Sequence, residues 1–121
     1  MLSRYPILSL SFRPFFILAS LIAIINPTLW VSVFVSGTEF TPVHVDPLFW
    51  HGHEMLFGFT SALIAGFLFT ASSHWAATTP YQGGALLTLI MVWLIERFSF
   101  FLPISESAFL VLSNCFLPIA L

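Results

Sequence analysis

The sequence is poor in charge: only 7% of its 121 residues are Asp, Glu, Lys or Arg, and it contains no lysine. Soluble domains usually carry about 25% charged residues, so this chain has too little polar surface to coat a globule in water. Nucleic-acid binding needs clustered Lys and Arg, and three arginines with a net charge of −2 argue against it. The single cysteine, Cys115, permits no internal disulfide.

Apolar residues are abundant instead: 59% of the chain is hydrophobic, it has 15 Phe, and its mean hydropathy is +1.02. A bilayer core about 30 Å thick needs about 20 apolar residues in a helix, and helices are required because lipid offers backbone amides no partners. Apolar runs predict helices at residues 14–35, 48–71 and 84–102, and a run at 108–121 is too short to cross.

These runs predict an all-α fold: a polytopic membrane helical bundle with three full transmembrane helices and a truncated fourth. We expect residues 1–121 to be a single membrane domain and the N-terminal portion of a longer multi-span protein. The alternative is a complete small protein whose last run packs at the membrane interface. The expected partners are the lipid bilayer and the remaining helices of the full-length protein.

Orientation follows from the few charges. Arg4 and Arg13 precede the first apolar run, whereas the loop at 36–47 carries Glu39 and Asp46 and no positive charge. Because positive residues stay on the cytoplasmic side, the N-terminus is predicted to be cytoplasmic. The second helix then begins at the outer face.

The start of the second run reads "FWHGHEMLFGF", residues 49–59, and places His51, His53 and Glu54 beside apolar residues. Neutral imidazole is a good ligand for haem iron and copper, and ionisable groups in membrane spans are functional by default. Two residues apart on a helix, the two rings point about 200° apart, which favours two separate roles over one chelate. Glu54 can orient the His51 ring. The alternative is interfacial histidines bonded to water or backbone.

The same helix shows small residues at intervals of four. Gly58, Ala62 and Gly66 follow Glu54 and precede Thr70. Such a ridge lets another backbone approach closely, or it forms a groove for a planar cofactor. Sequence spacing leaves both interpretations open.

The third run contains the adjacent charges Glu96 and Arg97, which are predicted to point about 100° apart and not to face each other. Trp93 lies four residues before Arg97, where a cation–π contact is possible. Arg97 is expected at the level of Glu54 and can pair with it or with a haem propionate. Snorkelling to the interface is the alternative.

The remaining two histidines offer weaker signals. His44 is expected to be a loop residue with no role in a site. His74 follows the second run and lies about 31 Å along a helix from His53, so the two cannot share a metal.

Several segments together resemble the NnrS family: "SFRPFF", "WHGHEMLFGF", "ALIAGFLFTA", Trp75 and "WLIERF". The resemblance implies a bacterial inner-membrane protein that contains haem and copper and acts against nitric oxide and nitrosative stress. Members of the family have about a dozen spans, so the chain resembles their first third. One departure is "HWAA" at residues 74–77, where the family tends to have Asn-Trp-Thr-Gly.

The resemblance also implies roles for residues at motif positions. His51 and His53 are carried over as haem or copper ligands, Glu54 as a residue that supports them, and Arg13 and Arg97 as charged residues that bind the cofactor. Which histidine binds which metal, and what reaction follows if any, stays open.

Two other functions remain possible from the residues. One is a proton or ion pathway built on Glu54, Glu96 and Arg97. The other is a cofactor-free membrane assembly subunit, held together by the ridge at Gly58, Ala62 and Gly66.

Overall fold

The computed structural model describes residues 5–37 and 42–120, which form helices with no strand among them. Arg4 and Glu39, two of the charges behind the predicted orientation, lie outside these residues, as does Leu121. After a 3₁₀ turn at Pro6–Leu8, the described part contains five helices: α1 (Phe12–Ser36), α2 (Pro47–Trp75), α3 (Gly83–Ser99), α4 (Glu106–Leu112) and α5 (Phe116–Ala120). The all-α prediction is confirmed.

Helices α1 and α2 extend the predicted runs at 14–35 and 48–71 by a few residues at their ends. Both are long and apolar enough to cross a membrane by length and composition. Helix α3 ends three residues before the predicted position 102 and has only 17 residues, fewer than the roughly 20 that a bilayer core needs. Among the described residues, two helices of spanning length are therefore found where three were expected.

The prediction of one continuous helix at 108–121 is wrong, because α4 and α5 are separated by residues 113–115. Asn114 Nδ2 donates to the Leu110 carbonyl at 3.2 Å, and such local side-chain bonds compete with helix hydrogen bonding. The Phe116 backbone N–H donates to Glu96 Oε2 at 2.9 Å. The helix is thus interrupted just before Phe116, whose N–H bonds to the Glu96 side chain of α3 instead of to a helix carbonyl.

The ends of the two long helices have recognisable local causes. Asp46 caps α2: its Oδ1 accepts from the backbone N–H of Leu48 at 2.8 Å and of Phe49 at 3.3 Å, and Pro47 occupies the first helical position. Helix α1 ends at Gly37, whose φ of 59° lies in the left-handed region that favours glycine. These caps fix where the loop between α1 and α2 begins and ends.

The core lies where α1 and α2 pack together and α3 covers them. Phe15 and Ala19 of α1, Ala62 of α2 and Leu86 of α3 are completely buried, and Trp93 is 1% exposed. The outer surface is apolar as well, with large exposed side chains along both long helices, among them Ile24, Phe34, Val35, Leu56 and Phe67. Such a surface suits lipid or further helices and not water.

Candidate functional site

Helix α2 changes its hydrogen-bonding pattern just after the two histidines. Pro47–His53 is α-helical, Glu54–Thr60 is a π-helix, and Ser61–Trp75 is α-helical again. Thr60 Oγ1 donates to the Met55 carbonyl five residues earlier at 2.9 Å. π segments are rare and frequently mark functional sites. The small residues at intervals of four gave no indication of this segment.

His51 is held by two residues of α1. Its Nδ1 donates to Asn26 Oδ1 at 2.8 Å, and its ring stacks on Trp30 with centroids 4.5 Å apart and planes 14° apart. With the proton on Nδ1, the lone pair is on Nε2, which is the arrangement that a metal-ligating histidine needs. Glu54 was expected to orient this ring; the structure gives that role to Asn26.

Asn26 is 1% exposed, and the sequence analysis did not identify it as a site residue. The signal was present: a buried amide in an apolar run is costly unless it is hydrogen-bonded. Its Nδ2 has no hydrogen-bond partner among the described residues. Asn26 therefore belongs to the site both as the partner of His51 and as a donor left available.

His53 has different surroundings. Its ring lies 4.8 Å from those of Phe57 and Phe100 and 6.2 Å from that of Phe49, measured between centroids. Its Nδ1 is 3.5 Å from Glu54 Oε1 without a hydrogen bond. The two imidazoles thus sit among different neighbours, one against α1 and one in an aromatic cluster that includes Phe100 at the end of α3.

A buried charge cluster lies beside His53. Arg97 Nε is 2.9 Å from Glu54 Oε1, although its N–H is not directed at that oxygen, so this contact is Coulombic. Arg97 Nη2 donates to Glu96 Oε1 at 2.7 Å. The prediction that Glu96 and Arg97 do not face each other is wrong, because their long side chains curve back across the 100° between their Cα–Cβ directions.

The third guanidinium nitrogen and the ring of Trp93 complete this cluster. Arg97 Nη1 donates to the Phe57 carbonyl in the π segment. The guanidinium carbon lies 5.2 Å from the Trp93 ring centroid, so the expected cation–π contact is present. Arg97 thus contacts two buried carboxylates, one backbone carbonyl and one aromatic ring.

The small residues of the ridge do two different things. A Cβ on Gly58 would lie 2.9 Å from Glu54 Oε2, so this glycine makes room for the carboxylate. A Cβ on Gly66 would lie 3.1 Å from Phe15 Cβ and 3.0 Å from Phe16 Cδ1, so that glycine makes room for α1. Ala62 is buried in the core. Phe15 and Phe16 fill the space at Gly66 where a planar cofactor would lie.

Arg13 is not part of this cluster. Its Nη1 donates to the Pro6 carbonyl at 2.6 Å and to Ser9 Oγ at 2.9 Å. Asn26 lies thirteen positions further along α1, about 20 Å along the helix axis. The structure brings His51, His53, Glu54 and Arg97 into one region and leaves Arg13 at the other end of α1.

The other histidines lie apart. His44 Nε2 is 2.9 Å from the Leu102 carbonyl, and its ring stacks on Phe109 at 4.5 Å, so its visible role is to join the loop before α2 to the end of α3. His74 is exposed at the end of α2.

A cavity of about 250 Å³ lies between α1, α2 and α3. Asn26, Glu54 and Arg97 line it together with Trp50, Trp93 and apolar side chains. Within residues 5–37 and 42–120, no three His, Cys, Asp or Glu side chains are grouped so that they could hold a metal ion.

Comparison with known proteins agrees with this arrangement of motifs. The family model described as NnrS protein matches residues 6–121, nearly the whole chain. No curated protein and no solved structure matches the chain. Because this match covers nearly the whole chain, the chain is a member of the NnrS family.

Proposed function

We propose that this chain is part of a bacterial inner-membrane protein of the nitric oxide response and that His51 ligates haem iron in it. Family membership supports the nitric oxide role. The observation that carries the haem assignment is the bond from His51 Nδ1 to the buried Asn26 Oδ1. That bond fixes the tautomer with Nε2 unprotonated and holds the ring in one orientation.

The residues fit a haem better than an independent copper site. One imidazole from the protein can hold a haem iron, and His51 is half-buried with its ring stacked on Trp30. Haem, when bound, supplies an iron centre with a position for a diatomic ligand. Arg97 is already engaged by Glu54 and Glu96, so a propionate partner would have to compete with two carboxylates.

Copper does not fit on the described residues alone. His53 offers one imidazole, and no third donor is grouped with it there. We therefore propose that His53 supplies no more than one ligand to a copper site, and that the other ligands come from further segments of the protein. Glu54, 3.5 Å from His53 Nδ1, is placed to orient that ring.

The membrane setting belongs to the same proposal. The apolar exposed faces of α1 and α2 are covered by lipid and by additional helices of a longer protein. The N-terminus is cytoplasmic, and His51 and His53 lie towards the outer leaflet.

The assignment predicts that His51→Ala removes haem from the full-length protein. Purified from its membrane in detergent, the unmodified protein should show a Soret band, and this variant should lose at least about tenfold in haem affinity because the iron loses its ligand. His74→Ala is the matched control, since it removes an exposed histidine from the other end of the same helix. A full haem complement in His51→Ala, or a colourless unmodified protein, would exclude the proposal.

A second prediction concerns the partner of the ligand. Asn26→Leu should weaken haem binding by about 10- to 100-fold, the usual effect of removing a residue that orients a metal ligand. Ser20→Ala serves as control because Ser20 Oγ donates to the Phe16 carbonyl of its own helix. Equal haem titrations for Asn26→Leu and Ser20→Ala would show that the amide does not hold the ligand.

A proton or ion pathway through Glu54, Glu96 and Arg97 is the second candidate, supported by the burial of these three ionisable groups, of which Glu54 and Arg97 line the cavity. We rank it lower because these groups satisfy one another. Flux in proteoliposomes that survives loss of haem and stops in Glu54→Gln would reverse the ranking.

A further inference from the structure

The π segment of α2 is held from outside by side chains of α3. At its end, the Ser61 backbone N–H donates to the carbonyls of Leu56 and Gly58 and skips that of Phe57. In an α-helix, Ser61 would donate to Phe57, four residues earlier. The skipped carbonyl accepts instead from Arg97 Nη1 and from Ser61 Oγ.

Trp93, one helical turn before Arg97, reaches the same junction. Its Nε1 donates to Ser61 Oγ at 3.3 Å, and Ser61 Oγ donates to the Phe57 carbonyl. Arg97 thus donates directly to the carbonyl that the Ser61 N–H skips, and Trp93 donates to the hydroxyl that also bonds to this carbonyl.

We propose that Arg97 is a positioning residue that keeps α2 in the π register and thereby sets the rotation of the turn carrying His51 and His53. Without Arg97 as donor, the Phe57 carbonyl can accept from the Ser61 N–H, and the π segment then converts to α-helix. The segment Pro47–His53 would then turn by about 100° and shift by about 1.5 Å relative to Ser61–Trp75. A rotation of this size would carry His51 away from Asn26 and Trp30.

Arg97 is well placed for this role because it is fixed from both sides. Glu54 Oε1 lies 2.9 Å from its Nε, and Glu96 Oε1 accepts from its Nη2 at 2.7 Å. A charged donor in a buried site forms the stronger class of hydrogen bond to a carbonyl. Glu54 belongs to the π segment itself, so the ion pair ties that segment to α3 at a second point.

A substitution at Gly58 should also destabilise the π register, by a different cause. In the π register, a Cβ at this position would lie 2.9 Å from Glu54 Oε2 and 3.6 Å from Arg97 Cδ. Gly58→Ala should therefore displace the Glu54 carboxylate from its place against Arg97 while leaving the arginine present.

Two engineered cysteine pairs in the full-length, membrane-embedded protein test the proposal in a Cys115→Ala background. The first pair, Asn26→Cys with His51→Cys, replaces side chains that are 2.8 Å apart and reports the turn before the π segment. The second, Phe12→Cys with Thr70→Cys, replaces residues joined by a 3.1 Å hydrogen bond and reports the part after it. A short bis-maleimide measures each pair, and neither measurement needs a cofactor, so the outcome is independent of the haem proposal.

We expect Arg97→Ala and Gly58→Ala each to reduce cross-linking of the first pair by about fivefold or more, the ratio that 1 kcal/mol of bias between two states produces. The second pair should be unchanged. Arg97→Lys should retain most of the first cross-link, since its ammonium can still donate to the Phe57 carbonyl.

Three results would overturn the proposal. One is a first pair that cross-links normally in both variants. Another is a loss of both pairs together in both variants, because Arg97 would then support the whole fold and not the register. The third is an Arg97→Lys protein that behaves like Arg97→Ala. If Arg97→Ala alone fails to accumulate, Gly58→Ala and Arg97→Lys decide between these outcomes.

Discussion

Arg97→Met should lower the free energy of unfolding by about 3–5 kcal/mol, the usual cost of removing one partner from a buried ion pair. The arginine is 6% exposed, and its removal leaves Glu54 and Glu96, each 3% exposed, without a positive charge beside them. Methionine keeps most of the apolar part of the side chain, so the decrease in the free energy of unfolding reflects the lost charge more than the lost volume. Titration of the purified protein in mixed micelles with increasing SDS measures the change.

Arg13→Met is the control for this prediction. That arginine is half-buried and donates to a carbonyl and a hydroxyl, with no carboxylate in contact within residues 5–37 and 42–120, so its replacement should cost no more than about 1 kcal/mol. Adding Glu54→Gln and Glu96→Gln to Arg97→Met should recover part of the loss, because the uncompensated charges are gone. Similar unfolding curves for Arg97→Met and Arg13→Met would contradict the electrostatic account of the cluster.

Gly66→Leu is expected to destabilise the protein by about 3 kcal/mol, the upper end of the range for overpacking a core. The first added atom would lie 3.1 Å from Phe15 Cβ, which is attached directly to the α1 backbone and cannot swing aside. Phe15 is completely buried, so α1 and α2 would have to separate. The same SDS titration detects the loss.

Gly84→Leu provides the matched comparison, since a Cβ at Gly84 meets no atom within 4 Å. This change should be neutral or slightly stabilising because leucine has a higher helix propensity than glycine by somewhat less than 1 kcal/mol. Equal stability of the two variants would mean that α1 and α2 are not packed as closely at Gly66 as the structure indicates.

The two long helices and the grouping of site residues follow from the sequence because their causes are local. Long uncharged runs determine α1 and α2, and the two-residue spacing of His51 and His53 places them among different neighbours on a helix. Arg97 meets Glu54 because a buried charge in an apolar run needs an opposite charge and few are present. In each case the cause can be read from the sequence itself, as a run length, a residue spacing or the number of charged residues.

The partner of His51 could not be identified that way. Asn26 lies 25 residues earlier on another helix, and the packing of α1 on α2 decides which face of α1 meets the ring. A polar residue in an apolar run signals that some partner exists, but its identity depends on tertiary structure.

The π segment was missed for a related reason. One extra residue in a seven-residue segment is too short a change to alter the periodicity of the sequence. The side chain that stabilises the segment, Arg97, belongs to α3. The contact between Glu96 and Arg97 was mispredicted because Cβ directions were used for side chains long enough to bend round. The break in the last helix depends on Glu96 as an acceptor from α3, which residues 108–121 do not themselves reveal.

The length of α3 has a consequence for the surrounding lipid. Its 17 residues rise about 26 Å, a few ångströms less than an average hydrocarbon layer of about 30 Å. Just beyond it, the Phe100 carbonyl accepts from the Val43 N–H at 2.9 Å, and the Leu102 carbonyl is 2.9 Å from His44 Nε2. If α3 is the third span that the sequence predicts, acyl chains next to it should be compressed, and bilayers of short-chain phospholipid should match its length better than thick, sterol-rich ones.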